Sequence, residues 1–222
     1  MTRFTRLLLA GGVLAAPLFL ALWALQAFSR EGFRPTFHPL SLLALGDGGW
    51  VQIANFVLTG LLLVGGGVGM RRSLPRSASS RWVAALVGLM GAGLVISGVF
   101  VTDAGAGFPT GAPEGAPEMS WHGAVHEVGF VLTQLTFLAL GVVFAVRSGR
   151  ARRWGWMSAS IVAVLAAPAV AALGSPETLA IRLVLSSTIE LAFVGALAVF
   201  SLRGSAARAE AAVRPAHVPS VR

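Results

Sequence analysis

The residue types most suited to chemistry gather in one stretch of the chain. It covers residues 102–130 and reads TDAGAGFPTGAPEGAPEMSWHGAVHEVGF. The stretch is rich in glycine and proline, holds Asp103, and passes directly into an apolar segment that includes His126 and Glu127. Ionisable groups in a membrane segment are costly to bury, so they usually face the protein interior and often mark function. The stretch therefore provides the first candidates for a site.

Metal binding is one chemistry that these residues suggest. His122 and His126 are four residues apart and so share one helix face. Together with His38 and Asp103 they form a set of three imidazoles and one carboxylate, a combination suited to zinc. The absence of cysteine excludes thiolate ligands, disulfides and a cysteine nucleophile. A zinc site made by these four side chains is one hypothesis, and histidines held by hydrogen bonds are the alternative.

Ligand binding by a buried polar cluster is the second chemistry. Arg182 and Glu190 lie in a late apolar segment, and a charge surrounded by lipid needs a partner or becomes neutral. We expect Arg182 to pair with Glu127, and Glu190 to be protonated or hydrogen-bonded by Gln134 or Asn55. The same pairs could instead only hold helices together. The complete predicted cluster is Asn55, Asp103, His126, Glu127, Arg182 and Glu190.

The amino-acid composition indicates which class of protein carries these residues. Hydrophobic residues make up 55% of the chain, charged residues 12%, and the mean hydropathy is +0.78. A soluble domain has about a quarter of its residues charged, so the partner of this chain is the lipid bilayer. The net charge of +8 comes entirely from arginine, in short clusters between apolar runs. That distribution is typical of cytoplasmic loops and not of a nucleic-acid-binding surface.

Six apolar runs approach the roughly 20 residues that a helix needs to cross the hydrocarbon core. The sequence predicts an all-α, six-helix transmembrane bundle over residues 1–202, followed by a disordered tail over 203–222. The first run is too long for the apolar region of a signal peptide, so we expect it to remain as a span. The predicted spans cover residues 7–28, 50–70, 82–101, 122–146, 156–173 and 178–202.

The arginines also predict the orientation of the bundle. Fourteen arginines lie in the termini and in the connections that follow the second and fourth spans, whereas the other connections hold only Arg30 and Arg34. The positive-inside rule then places both termini in the cytoplasm. The stretch 102–130 is accordingly expected at the outer face of the plasma membrane.

Three ordered motifs resemble a known family. The segments HPLSLLALGDGGWVQIANFVLTGLL, GVFVTDAGAGFPTGAP and SWHGAVHEVGF are similar to the bacterial and archaeal membrane family called domain of unknown function 998. The resemblance covers most of residues 7–202 and implies about six spans, without any biochemical activity. The positions to which it points are Ser41, Gly46, Asn55, Gly60, Asp103 and His126.

A second similarity concerns the H-x-x-x-H pair. Transmembrane hydrolases that include alkaline ceramidases and adiponectin-type receptors hold zinc with such a pair, and this chain resembles them in also having a serine and an aspartate. It differs from them in helix number and in carrying the pair on the fourth span. What this similarity implies is a zinc cofactor and hydrolysis of a lipid at the outer leaflet.

Three functions therefore follow from the sequence. The leading one is a non-enzymatic membrane protein that binds a lipid or small ligand in a polar pocket near the outer face. The first alternative is the metal-dependent membrane hydrolase. The second alternative is a small transporter or proton-coupled carrier, with Glu127, Arg182 and Glu190 along the route.

Overall fold

The computed structural model describes residues 1–213, with side chains up to residue 206 except that of residue 176. Within this part of the chain there are six helices long and apolar enough to cross a membrane. The predicted all-α, six-helix bundle is confirmed, and the protein is a multi-pass membrane protein. The helices are α1 (Arg3–Ser29), α2 (Trp50–Ser73), α3 (Ala78–Val99), α4 (Trp121–Arg150), α5 (Trp154–Ala172) and α6 (Leu179–Val213).

Several helix ends lie outside the predicted spans. The third helix begins at Ala78, because the Ser77 hydroxyl accepts a hydrogen bond from the Ser80 amide and caps the helix. The sixth helix continues to Val213, so residues 203–213 of the predicted disordered tail are helical. This segment is rich in alanine and arginine, which favour helix even outside lipid. The remaining tail, residues 214–222, lies outside the described residues.

The helices form a ring in which each packs against the next and α6 returns to α1. Glycines allow the closest approaches. A Cβ added at Gly60 of α2 or at Gly91 of α3 would meet the carbonyl oxygen of the other residue, and one added at Gly67 would meet that of Ala84. Small residues at such crossings let helices pack by van der Waals contact where lipid provides no hydrophobic drive. In contrast, α4 and α6 are joined mainly through α5.

The two ends of the ring differ in their connections. The arginine-rich end carries the start of α1, the end of α6 and the short connections after α2 and α4. The arginine-poor end carries two long connections, residues 30–49 and 100–120, which pack on each other and cover the bundle. We call these two connections the cap. Its apolar core contains Phe33, Leu42, Leu43 and Phe108, next to Ala27 at the end of α1.

Candidate functional site

A cavity of about 310 Å³ lies beneath the cap, between the helices of the arginine-poor half. This volume is at the lower end of the range of roughly 300–1,000 Å³ typical of ligand pockets. No residue of α5 is on its wall. Most of the wall is apolar and is formed by side chains that include Phe19, Phe56, Met90, Leu94, Leu183 and Leu191.

Glu190 of α6 is the deepest ionisable group on the cavity wall, and only 3% of its surface is exposed. The hydroxyl of Ser186 donates to its Oε1 at 3.3 Å. From α4, the side-chain amide of Gln134 donates to the two carboxylate oxygens at 2.7 and 3.0 Å when its nitrogen faces Glu190. The predicted contact between Gln134 and Glu190 is therefore confirmed. It joins two helices that otherwise have few contacts with each other.

His126 of α4 lies nearer the cap and is also buried. Its Nδ1 donates to the carbonyl oxygens of Ser97 at 2.8 Å and Phe100 at 3.0 Å. These carbonyls are at the C-terminal end of α3, where a helix leaves its last acceptors without intrahelical donors. With its proton on Nδ1, the neutral imidazole presents Nε2 as an acceptor. Within the described part of the chain no group donates to Nε2, and the ring lies on the cavity wall.

Asp103 is at the cavity rim and holds the connection to the start of α4. Its carboxylate accepts hydrogen bonds from the Ser120 hydroxyl at 2.6 Å and from the Ser120 amide at 2.8 Å. These two bonds hold the pKa of Asp103 below its usual range. Ser120 in turn caps α4 by accepting from the Gly123 amide. A Cβ at position 123 would overlap the Asp103 carboxylate, so only glycine permits this approach.

Arg182 is not a partner of Glu127, and the predicted ion pair is wrong. Its guanidinium donates to the carbonyl oxygens of Ala171 at 2.7 Å and Ser175 at 2.8 Å, and to the Thr178 hydroxyl at 3.2 Å. The carbonyls at the C-terminal end of α5 lack intrahelical donors and take up the guanidinium. Glu127 instead lies exposed on the cavity rim.

Asn55 is also outside the cavity wall. It is fully buried between α1 and α2, where its Nδ2 donates to the Phe19 carbonyl oxygen at 3.1 Å and to Gln52 Oε1 at 3.2 Å. Of the six residues of the predicted cluster, the cavity wall thus includes Asp103, His126, Glu127 and Glu190 and excludes Asn55 and Arg182.

The predicted zinc ligands do not assemble either. His38 is buried in the cap, where its Nδ1 accepts from the Arg34 amide at 2.9 Å and its Nε2 contacts the Ala106 carbonyl oxygen at 3.0 Å. Both ring nitrogens are therefore occupied, and burial lowers the pKa of His38. The ring also packs against Phe33 and Phe108. His38 thus joins the two connections of the cap and has no lone pair left for a metal.

His122 makes a separate set of contacts near the start of α4. Its Nδ1 lies 3.0 Å from the Ser120 hydroxyl, 3.2 Å from the Val101 carbonyl oxygen and 3.9 Å from Asp103 Oδ1. Among the described residues, no three histidines or carboxylates come together as metal ligands. The set His38, Asp103, His122 and His126 is separated because main-chain groups bind His38 and His126.

The sequence interpretation missed four polar residues of the wall, Ser97, Thr102, Thr133 and Ser187, and all of its apolar residues. A polar residue within an apolar run is a usable signal, and Ser187 is close enough to Glu190 along α6 to share its side of the helix. The apolar residues gave no such signal, because lipid-facing and cavity-facing leucines look alike in a membrane helix.

Comparison with known proteins adds one match. A family model described as "Protein of unknown function (DUF998)" matches residues 13–200, which include most of all six helices. No curated protein and no solved structure matches the chain.

Proposed function

Because the chain belongs to the DUF998 family, whose description names no activity, we propose a function from the cavity itself. The protein binds a small amphiphilic molecule, a lipid or a lipid-like ligand, in the cavity beneath the cap. The observation that carries this proposal is the combination of an apolar wall with buried polar groups inside a membrane bundle. Ligand pockets have this composition, a mostly apolar lining with a few polar groups that fix orientation.

The size and depth of the cavity support an amphiphile. Its volume of about 310 Å³ suits a small molecule or the end of a larger lipid. Apolar atoms of the ligand would contact Phe56, Leu94 and Leu191, and its polar group would reach Glu190 or His126. Polar residues are expensive to keep within a membrane, and such residues commonly line a substrate or ligand site.

The other half of the bundle supports a closed binding pocket over an open channel. Beyond the cavity, towards the arginine-rich end, the space between α4 and its neighbours is filled by Phe137, Leu140, Phe144 and Leu197, each at most 1% exposed. An open channel needs a continuous route to both faces of the membrane, whereas this packing ends the cavity within the bundle. By the positive-inside rule, the cavity belongs to the non-cytoplasmic half of the membrane.

A bulky substitution on the cavity wall tests the proposal. We expect wild-type protein in phosphatidylcholine nanodiscs to bind octanol saturably in isothermal titration calorimetry, beyond the heat of empty nanodiscs. Ser187→Phe should abolish this binding, because the ring would occupy the cavity. Leu185→Phe places the same ring on the exposed face of α6 and should bind as wild type does.

Tryptophan fluorescence of both variants, followed through thermal unfolding, checks that they fold. A folded Ser187→Phe protein that still titrates like wild type would place octanol elsewhere and contradict the proposal.

A further inference from the structure

The lining of the cavity also indicates the chemical class of its ligand. Resting on the proposed function, we infer that the cavity selects amphiphiles whose polar group is a protonated amine over those with an anionic group, such as fatty acids. The inference stands on the groups that face the cavity, on the basic groups that do not, and on a histidine nitrogen of the wall that accepts no hydrogen bond from the described residues.

The charged side chains on the cavity wall are all acidic. Asp103, Glu127 and Glu190 line the cavity, and no arginine is among its described lining residues. The chain contains no lysine. Carboxylates that line a cleft with low-dielectric walls produce a potential that attracts cations and repels anions. An anionic headgroup would therefore enter against this potential.

The basic residues at this end of the bundle are engaged elsewhere. Arg30 donates to the carbonyl oxygens of Leu43 at 3.1 Å and Leu45 at 2.6 Å. The Arg34 guanidinium stacks over the Phe37 ring at 4.2 Å, and Arg182 binds the end of α5. None of these three guanidinium groups is on the cavity wall. None is therefore placed to bind the carboxylate or phosphate group of a ligand in the cavity.

The buried polar groups of the wall present acceptors. His126 is only 4% exposed, and its Nε2 has no donor within the described part of the chain. The carbonyls that bind its Nδ1 fix the proton there and leave the Nε2 lone pair available. The Glu190 carboxylate accepts hydrogen bonds from Gln134 and Ser186. It has further acceptor sites that a ligand can use. An ammonium group carries three donors and no acceptor, which complements this set.

The aromatic part of the wall is compatible with the same class. Phe19, Phe56 and Phe130 line the cavity, and ring faces attract a desolvated cation. They do not discriminate against a neutral amphiphile, so they accommodate the amine without selecting it. The selection against anions comes from the carboxylates and from His126.

Three probes that share one alkyl chain test the inference. Octylamine, octanol and octanoate are titrated separately into the full-length protein in phosphatidylcholine nanodiscs, with empty nanodiscs subtracted. We expect octylamine to bind about tenfold or more tightly than octanoate, a difference of roughly 1.4 kcal/mol. Glu190→Gln should reduce this preference to about threefold or less while octanol binding persists, which also shows that the variant is folded. Glu177→Gln changes an exposed glutamate outside the cavity and should leave the preference unchanged.

The possible failures are distinguishable. Octanoate binding as tightly as octylamine, with octanol still bound, overturns the inference and leaves the proposed function in place. An unchanged amine preference in Glu190→Gln, with Ser187→Phe abolishing binding of octylamine, overturns the role of the Glu190 carboxylate in the selection. Absence of saturable binding by all three compounds removes the proposed function and this inference with it.

Discussion

The arginine-rich half of the bundle is filled by large apolar side chains, whereas the arginine-poor half encloses polar groups and a cavity. In the first half, the ring of Phe144 packs edge-on against Trp156 and Phe200. In the second half, Glu190 and Gln134 meet across the space between α6 and α4. One set of helices thus supports dense packing at one end and leaves room at the other. Stability and ligand binding are expected to depend on different halves.

Truncating one phenylalanine in each half tests this division and should give the largest effect. Phe144→Ala removes a ring that is 1% exposed and should lower the free energy of unfolding by about 3–5 kcal/mol. Phe130→Ala removes a cavity-wall ring that is 40% exposed and should cost about 1 kcal/mol or less. Reversible unfolding in mixed micelles, followed by circular dichroism, measures both. Equal losses would mean that the two halves contribute alike to stability, which would contradict the proposed division.

A smaller loss of stability is expected from a substitution where the cap joins the bundle. Gly123→Ala places a Cβ into the Asp103 carboxylate and should cost about 1–3 kcal/mol through the displaced Ser120 cap. Gly115→Ala lies in the connection that precedes α4, where a Cβ meets nothing within 4 Å, and serves as the control. The two melting temperatures in detergent provide the measurement. If both variants melt together, the approach of Asp103 to α4 is not a constraint on the cap.

The smallest expected effect is a change in stability with pH, and it comes from the cap. Because the pKa of His38 in the folded protein is lowered from 6.5, the unfolded chain binds more protons as pH falls through 6.5. His38 therefore makes the protein less stable as pH falls through that value, and the effect levels off below the folded pKa. Asp103 acts in the same direction but below pH 3.8, so the two windows are separate.

Melting temperatures of wild type and His38→Phe between about pH 7.5 and 5 measure this effect. The variant loses two hydrogen bonds and should melt lower at neutral pH, with a flatter dependence on pH. A pH dependence that is unchanged in His38→Phe would assign it to other groups and would sharpen the view that the cap is held by apolar contacts.

The fold was predictable because hydropathy depends on composition and not on contacts. Six runs of apolar residues were enough to define six helices, although caps such as Ser77 and the helix-forming alanines after Leu202 set ends that hydropathy does not detect. Part of the candidate site was predictable on the same basis. Polar residues within apolar runs pointed to His126 and Glu190, and both are on the cavity wall.

The contacts between those residues were less predictable. The pairing of Arg182 with Glu127 assumed that opposite charges at equal depth meet, but depth does not specify the rotation of a helix. It also ignored the competition from carbonyl oxygens at the end of α5, which bind the guanidinium. The four predicted zinc ligands are separated for a related reason, because His38 and His126 are hydrogen-bonded to the main chain.

Arg30, His38, His126 and Arg182 share one property, which is that each binds a main-chain carbonyl oxygen supplied by another segment. Every amino acid carries that oxygen, so replacing the residue at the accepting position leaves the bond in place. Replacing the donor removes it. Sequence drift in the loops and helix ends around these four positions should therefore be tolerated wherever the backbone path is kept. The four donors themselves should change seldom, and compensating pairs of substitutions should not arise between them and their acceptors.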